Sequence, residues 1–125
     1  SSAWRQRPGS AMPASYGAAK AALDDLTQSL AREFGPHGVR VVGIAPGPIW
    51  TENWEADLQA HAAQNDLEPE TLREAIIAEA GGATALRRPG TMDEVARAIC
   101  WVASGDASYL TGTTLVIDGG FVAGT

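Results

Sequence analysis

Two side chains that could cooperate in proton transfer lie four residues apart near the start of the chain. Tyr16 and Lys20 are separated by Gly-Ala-Ala, so in a helix both side chains lie on one face, one turn apart. A phenol holds its proton at neutral pH, but a nearby cation and the positive end of a helix dipole both favour the phenolate. The pair therefore predicts a tyrosine adapted for general acid or base catalysis. An ordinary helix surface is the alternative, and it is weakened because Lys20 is the only lysine of the sequence.

A second group of candidate residues follows a predicted buried strand. Residues 39–45 are β-branched and mostly apolar, as in a parallel strand that is covered on both faces. Open α/β sheets bind ligands at the carboxyl ends of such strands, and Gly47 would let a flat ring approach the backbone there. A simple turn that ends the strand is the alternative. The residues concerned are Pro46, Gly47, Pro48, Ile49, Trp50 and Thr51.

The helix that must position the Tyr-Lys pair is predicted over residues 13–34. Its apolar residues recur at spacings of three and four, which is typical of an amphipathic helix. Pro13 suits the first turn. Gly35 followed by Pro36 predicts the end of the helix, with Gly35 in the left-handed conformation. Residues 1–12 are predicted to form a loop.

Helical and strand patterns alternate along the rest of the chain. Further helices are predicted over 52–64, 69–80 and 92–104. The last of them follows a capping box, in which Thr91 and Glu94 satisfy backbone donors reciprocally. A second short buried strand is predicted over 114–117. Two parallel strands cannot form a covered sheet alone, so the chain is predicted to be about the C-terminal half of an α/β domain.

Composition places the chain among globular proteins and argues against several other classes. Of 125 residues, 45% are hydrophobic and 19% charged, with a net charge of -6, which disfavours disorder and nucleic-acid binding. No apolar run approaches the roughly 20 residues of a membrane span, and no signal segment opens the sequence. Cys100 is predicted in a helix core without a disulfide, so a cytoplasmic location is expected. His37 and His61 lack companions at metal-ligand spacing, and no metal site is predicted.

Negative charge is concentrated in one segment of the chain. Residues 52–80 contain eight acidic residues and one basic residue, Arg73, so this segment carries a charge of -7. A solvated helical face explains most of these acids. We interpret the segment as an exposed insertion.

Five sequence blocks occur in an order that resembles the short-chain dehydrogenase/reductase family. They are Tyr16-Gly-Ala-Ala-Lys20, residues 39–51, residues 88–96, residues 107–112 and Val116-Ile-Asp-Gly-Gly120. The resemblance covers nearly the whole chain outside the acidic segment. It implies an α/β fold with a Rossmann-like, doubly wound parallel sheet, of which only the C-terminal portion is present, about two strands plus helices. Residues 1–125 would be the C-terminal part of a single NAD(P)-binding domain.

The resemblance also implies hydride transfer between NAD or NADP and a small carbonyl or alcohol substrate. Tyr16 would be the general acid in reduction and the base in oxidation, and Lys20 would bind the nicotinamide ribose hydroxyls and favour the phenolate. A serine upstream of the tyrosine binds the substrate oxygen in this family. Ser2 is assigned this role, although it lies one residue further from Tyr16 than the family pattern has it, and Ser1 is the alternative.

The remaining site residues are likewise assigned by resemblance. Besides Tyr16 and Lys20, the residues expected to contact the cofactor are Pro46, Gly47, Ile49 and Thr51. Residues 52–86 take the place of a substrate-covering lid. Candidate pocket residues are Trp50, Trp54, Leu58 and His61, of which Trp50 and Trp54 are assigned to the substrate. The helix that carries Tyr16 packs against a partner subunit in this family, which implies a homodimer or homotetramer.

Part of the family's cofactor site is missing from the sequence. No Gly-x-x-x-Gly-x-Gly turn occurs, so the element that cradles the dinucleotide phosphates is absent. We therefore expect the 125 residues alone to be inactive, and the choice between NAD and NADP stays open. Two alternatives to a dehydrogenase remain, a non-catalytic interaction module of the same fold and an epimerase or dehydratase. The intact Tyr-Lys pair counts against the first, and the ordered C-terminal blocks count against the second.

Overall fold

Helices and strands alternate along the chain in the computed structural model, which describes residues 1–3 and 12–122. The helices are α1 (Ala14–Phe34), α2 (Glu52–Asn65), α3 (Pro69–Gly82) and α4 (Met92–Ala103). The strands are β1 (Val42–Pro46), β2 (Ile49–Trp50), β3 (Gly90–Thr91) and β4 (Thr113–Ile117). The predicted helices and both predicted strands are confirmed, although β1 starts later than predicted. Most of the loop predicted over residues 1–12 falls on residues 4–11, outside the described residues.

Strands β1 and β4 form a parallel pair, in which Ile44 lies beside Leu115. Alternate backbone groups of a strand point to opposite edges. Gly47 donates to the Ile117 oxygen on the β4 side, so the oxygen of Ile44 points to the other edge. There it accepts a hydrogen bond from the backbone nitrogen of Ser1 at 2.8 Å. The α/β class with parallel strands is therefore confirmed, and β1 lies between β4 and the first residues of the chain.

Helices α1 and α4 lie on opposite faces of this strand pair. On one face, the Thr114 hydroxyl donates to the Asp24 carboxylate of α1 at 2.8 Å. Gly43 makes this possible, because a Cβ at that position would lie 2.6 Å from Thr114 Oγ1. The next residue, Ile44, points to the opposite face, where it lines a cavity with Val102 of α4. The layers are therefore helix, sheet and helix.

The end of α1 differs from the prediction. Gly35 keeps a right-handed helical conformation, with φ of -53°, and starts a 3-10 turn over Gly35–His37. The left-handed residue is Gly38, with φ of 77°, and its N–H donates to the Gly35 oxygen at 2.9 Å. Pro36 explains why the prediction for Gly35 was wrong. A proline fits the first turn of a helix, where its missing N–H needs no partner, so it lets the helical turn continue past Gly35.

Most buried hydrophobic residues in the described part of the chain are small. They are Ala3, Ala31, Ala45, Leu58, Ala62, Val102, Ala107 and Phe121. Large apolar side chains on α1 and α4 are exposed, namely Leu23, Leu26, Phe34, Met92, Ile99 and Trp101. Cys100 is exposed as well, so its predicted core position was wrong: it lies about 200° around α4 from the buried Val102.

No helix in the described part of the chain is both long and apolar enough to cross a membrane.

A clamp formed by Arg88 and Glu94 fixes the segment that leads into α4. Arg88 donates to both carboxylate oxygens of Glu94, at 2.9 and 2.6 Å. Glu94 also accepts from the Thr91 N–H at 2.8 Å, and Thr91 Oγ1 accepts from the Glu94 N–H at 3.2 Å, which confirms the predicted capping box. The hydrogen bond from Arg88, followed by that from Thr91, lowers the pKa of Glu94 from its usual 4.5 to about 2. Nearby, the Gly90 N–H donates to the Pro48 oxygen at 2.9 Å, which joins this segment to the strand end.

Acid is expected to remove the contribution of this clamp to stability. Because the pKa of Glu94 is lower in the folded state, the clamp stabilises the fold fully above about pH 4.5. This stabilisation is lost as the pH falls toward about 2. Glu94→Gln in the full-length protein should lower the thermal midpoint at neutral pH and have little effect at the acid end, as measured by calorimetry. Asp93→Asn is the matched control, because its ion pair with Arg97, at 3.8 Å, is highly exposed and contributes little. A midpoint difference that persists in acid would contradict this account.

Candidate active site

Most of the predicted site residues surround one cavity at the carboxyl end of β1. The cavity has a volume of about 550 Å³. Its lining includes the predicted residues Ser2, Tyr16, Pro46, Gly47, Ile49, Thr51 and Trp54. Lys20 and Trp50 are not part of this lining. The cavity therefore lies where parallel sheets bind their ligands, and the chain fold brings Ser2 and Tyr16 to the segment that follows β1.

Tyr16 lies in the first turn of α1 and borders the cavity. Its backbone N–H donates to the Pro13 oxygen at 3.0 Å, so a backbone bond starts the helix where no side-chain cap is present. Lys20 follows one turn later, and its Nζ lies 5.3 Å from the centroid of the Tyr16 ring. At this distance an ammonium group is attracted to the face of a phenol ring. The predicted placement of both side chains on one helix face is confirmed.

The two serines at the start of the chain both line the cavity, and Ser2 is buried. The Ser1 hydroxyl donates to the backbone oxygen of Lys20 at 3.2 Å. Together with the bond from the Ser1 nitrogen to β1, this contact fixes Ser1 between the central strand and α1. Ser2 is thereby held beside the helix that carries Tyr16.

Gly47 is held closely between the ends of the two central strands. Its N–H donates to the Ile117 oxygen at 3.0 Å, and a Cβ at Gly47 would lie 2.6 Å from the Cβ of Asp118. Asp118 accepts from the N–H groups of Gly120 and Val122, at 2.9 and 2.8 Å, so its carboxylate holds the turn that follows β4. A glycine is therefore required here by the packing of the strand ends, independently of any ligand.

Adding a methyl group at Gly47 should destabilise the fold. Gly47→Ala forces a contact with Asp118 that neither backbone can relieve without moving, and we expect a loss of about 1–3 kcal/mol in the free energy of unfolding, measured by urea denaturation of the full-length protein. Gly17→Ala is the matched control, because a Cβ there meets no atom of the described residues within 4 Å. Because Gly17 lies within α1, its replacement by alanine should raise the free energy of unfolding by about 0.5–1 kcal/mol. Equal effects of the two variants would contradict the assigned packing.

A second cavity, of about 440 Å³, lies between α2 and α3. Thr51 begins α2, since its Oγ1 accepts from the Trp54 N–H at 3.2 Å. Trp54 lines both cavities, whereas Trp50 lines the second and not the first. The two indole rings meet edge to face, with centroids 5.7 Å apart and planes at 83°. The other residues around this cavity are Asp57, Leu58, His61, Leu72 and Ile76.

One wall of the first cavity comes from residues that the sequence analysis does not identify. They lie on α4 and are Met92, Val95, Ala96 and Ile99. Their spacing of three, one and three places them on one helix face, and this apolar face of α4 is the signal that could have found them. The short pairing of β2 with β3 brings α4 to the cavity, because Ile49 lies beside Gly90. Gly90 allows this approach, since a Cβ there would lie 2.7 Å from Ile49 Cδ1.

The lining of the first cavity combines an apolar wall with a few polar groups. Residues 46–49 form a wall of two prolines, a glycine and an isoleucine, and among the described residues that line the cavity Tyr16 is the one with an ionisable side chain. The hydroxyls of Ser2, Tyr16 and Thr51 provide polar contacts. Within residues 1–3 and 12–122, no three His, Cys, Asp or Glu side chains group closely enough to hold a metal ion.

Sequence comparisons identify the family to which the chain is similar. A family model described as Enoyl-(Acyl carrier protein) reductase matches residues 2–122. An uncharacterized oxidoreductase from Schizosaccharomyces pombe is 38% identical over 109 residues, which cover 87% of this chain and 38% of that protein.

Solved structures show the same fold. A double variant of Serratia marcescens short-chain dehydrogenase/reductase is 31% identical, with a TM-score of 0.75 over 98% of this chain and 43% of that chain. A 4-hydroxyisoleucine dehydrogenase complexed with NADH and succinate is 28% identical, with a TM-score of 0.73 over 98% of this chain and 44% of that one. The chain thus spans about two fifths of the length of the relatives it matches.

Proposed function

Because the chain belongs to the short-chain dehydrogenase/reductase family of oxidoreductases, we propose that the protein containing it transfers a hydride between NAD or NADP and a carbonyl or alcohol. The observation that carries this proposal is the cavity at the carboxyl end of β1, which Ser2 and Tyr16 both line. A proton donor and a second hydroxyl thus border a space large enough for a small substrate.

Tyr16 is proposed to move the proton of the reaction. In reduction, the carbonyl carbon gains the hydride while the carbonyl oxygen takes the phenolic proton, and in oxidation the phenolate takes the proton back. Ser2 donates a hydrogen bond to the same oxygen, which orients it and stabilises its developing charge. Lys20 places a positive charge beside the ring of Tyr16, where it would stabilise negative charge that develops in the transition state. The nicotinamide, when bound, supplies or accepts the hydride.

The segment after β1 is proposed to hold the nicotinamide end of the cofactor. Pro46 and Gly47 present backbone to the cavity, Ile49 adds an apolar surface and a backbone group, and Thr51 adds a hydroxyl. All four residues line the same space as Tyr16. Lys20 is proposed to reach the ribose hydroxyls, since it lies one helical turn beyond Tyr16. The 28% identity to a dehydrogenase solved with NADH supports a cofactor of this class and leaves the choice between NAD and NADP open.

We propose further that the chain forms the C-terminal part of one NAD(P)-binding domain, in which residues 52–86 cover the substrate. A sheet of two parallel strands is too small to be stable alone, and the apolar side chains exposed on α1 and α4 are those that further strands and helices would cover. Trp54 lines both cavities, and Trp50 lines the second and contacts Trp54 edge to face. Both tryptophans are therefore proposed to contact the substrate.

Isotope transfer tests this proposal in the full-length protein. With a cofactor deuterated at the transferable position and a ketone substrate, we expect cofactor oxidation and one deuterium on the carbinol carbon of the product, measured by absorbance and mass spectrometry. Inversion of an alcohol without net cofactor oxidation would instead favour the epimerase. Absence of both cofactor binding and oxidation would favour the non-catalytic module.

A further inference from the structure

The second cavity has the chemical character of a binding site for an apolar group. Its walls are two tryptophans together with Leu58, Leu72 and Ile76 from α2 and α3. Leu58 is 2% exposed, so the floor of the cavity is closed by a buried side chain. Pockets of this size with mostly apolar walls bury the larger part of a small ligand.

The tryptophans of this cavity present mainly apolar surface to it. The contact of Trp50 with the Glu55 side chain gives the indole a polar partner on α2, so the remaining ring surface is apolar. Trp54 meets Trp50 edge to face, a favoured aromatic geometry that adds rigidity to the wall. Because Trp54 also lines the first cavity, the two cavities adjoin at this ring.

The charges around the second cavity are unfavourable for an anion. Arg73 is the one basic residue in the segment 52–80. Its guanidinium forms salt bridges with Glu55 and Glu70, the latter with Nη1 3.3 Å from Oε2, so its charge is already paired. Arg73 is absent from the cavity lining, whose ionisable residues within the described part of the chain are Asp57 and His61. Among these described lining residues, an anionic ligand would therefore meet the Asp57 carboxylate and neither a lysine nor an arginine.

We infer that the second cavity binds the remote end of the substrate, and that this end is a ring-sized apolar group, neutral or cationic, without a phosphate or carboxylate. That the bound group is part of a substrate rests on the proposed function, whereas its chemical class rests on the cavity itself. The lining residues Trp50, Asp57 and Leu72 would then determine specificity without taking part in the chemistry. Anionic substrates of similar size would be rejected by charge.

Binding measurements on the full-length protein test the chemical class. The probes are benzylacetone, its para-carboxylate and its para-aminomethyl derivative, with butanone as the short probe that cannot reach beyond Trp54. We expect benzylacetone to bind about tenfold tighter than its carboxylate by calorimetry, with the aminomethyl derivative at least as tight. Equal or tighter binding of the carboxylate would overturn the inference, whatever the result for turnover.

Three variants separate the second cavity from the proposed chemistry. Leu72→Trp fills the cavity and should bring the kcat/KM ratio of benzylacetone to butanone close to one. Asp57→Lys should reverse the order of the neutral and carboxylate probes. Glu74→Lys makes the same charge change at an exposed position of α3 outside the lining, and should leave that order unchanged. The combined results distinguish the two proposals. If binding follows these expectations but no probe is reduced, the proposed function is wrong and the inferred chemical class of the ligand is supported. If the probes are reduced without these preferences, the inference fails and the function stands.

Discussion

Replacing Tyr16 by phenylalanine in the full-length protein should lower kcat/KM for ketone reduction by about a hundredfold to ten thousandfold, the usual contribution of a general acid. The substitution removes only the hydroxyl, so the ring beside Lys20 and the shape of the cavity are retained. Steady-state oxidation of the reduced cofactor measures the effect. Cofactor affinity, measured separately by fluorescence titration, should change much less than kcat.

The second tyrosine of the sequence provides a matched control for this variant. Tyr109 is fully exposed in the structure and lies outside the lining of the first cavity. Tyr109→Phe makes the same chemical change and should leave kcat/KM within about twofold, as expected for a surface substitution. Hydride transfer that survives Tyr16→Phe at the rate of the Tyr109→Phe protein would rule out the proposed proton donor.

Replacing Lys20 by methionine should lower kcat/KM by about a hundredfold, comparable with the loss of one group that stabilises developing charge. The ammonium group lies 5.3 Å from the ring centroid of Tyr16, and methionine keeps an unbranched chain there without the charge. If Lys20 acts partly through the phenol, the two losses cannot add. The double variant with Tyr16→Phe should then retain nearly the activity of Tyr16→Phe alone.

Arg32→Met is the control for removal of a cation from the same helix. Arg32 lies in the last turn of α1, more than three turns from Tyr16, and its loss should leave hydride transfer unchanged. Lys20→Arg keeps the charge and should recover part of the activity. Strictly additive losses for Tyr16 and Lys20 would show that the lysine acts independently of the tyrosine.

The sequence was sufficient for features that depend on local spacing. The helix carrying Tyr16 and the capping box at Thr91 follow from periods of three to four residues, and the site after β1 follows from a buried run that ends in Pro-Gly-Pro. These signals need no knowledge of distant contacts. They locate the cavity because parallel strands bring their carboxyl ends together.

Features that depend on contacts between distant segments were not predictable in this way. Strands β2 and β3 have two residues each, too few for any periodic pattern, and their pairing decides which face of α4 reaches the cavity. Gly35 carries the sequence signature of a helix end, yet Pro36 fits a continuing turn and moves the left-handed residue to Gly38. Trp50 and Trp54 are four residues apart, yet only Trp54 lines both cavities, a difference that no local spacing predicts.

The pairing of β2 with β3 has a consequence for how this fold can diversify. Ile49 lies beside Gly90 and Trp50 beside Thr91, so the two ends of the segment 51–89 are fastened together at its base. Extra length in a loop whose ends are already joined costs little free energy. Insertions between Trp54 and Arg88 should therefore cost little stability, while the residues of this segment that line the first cavity, Thr51 and Trp54, keep their positions.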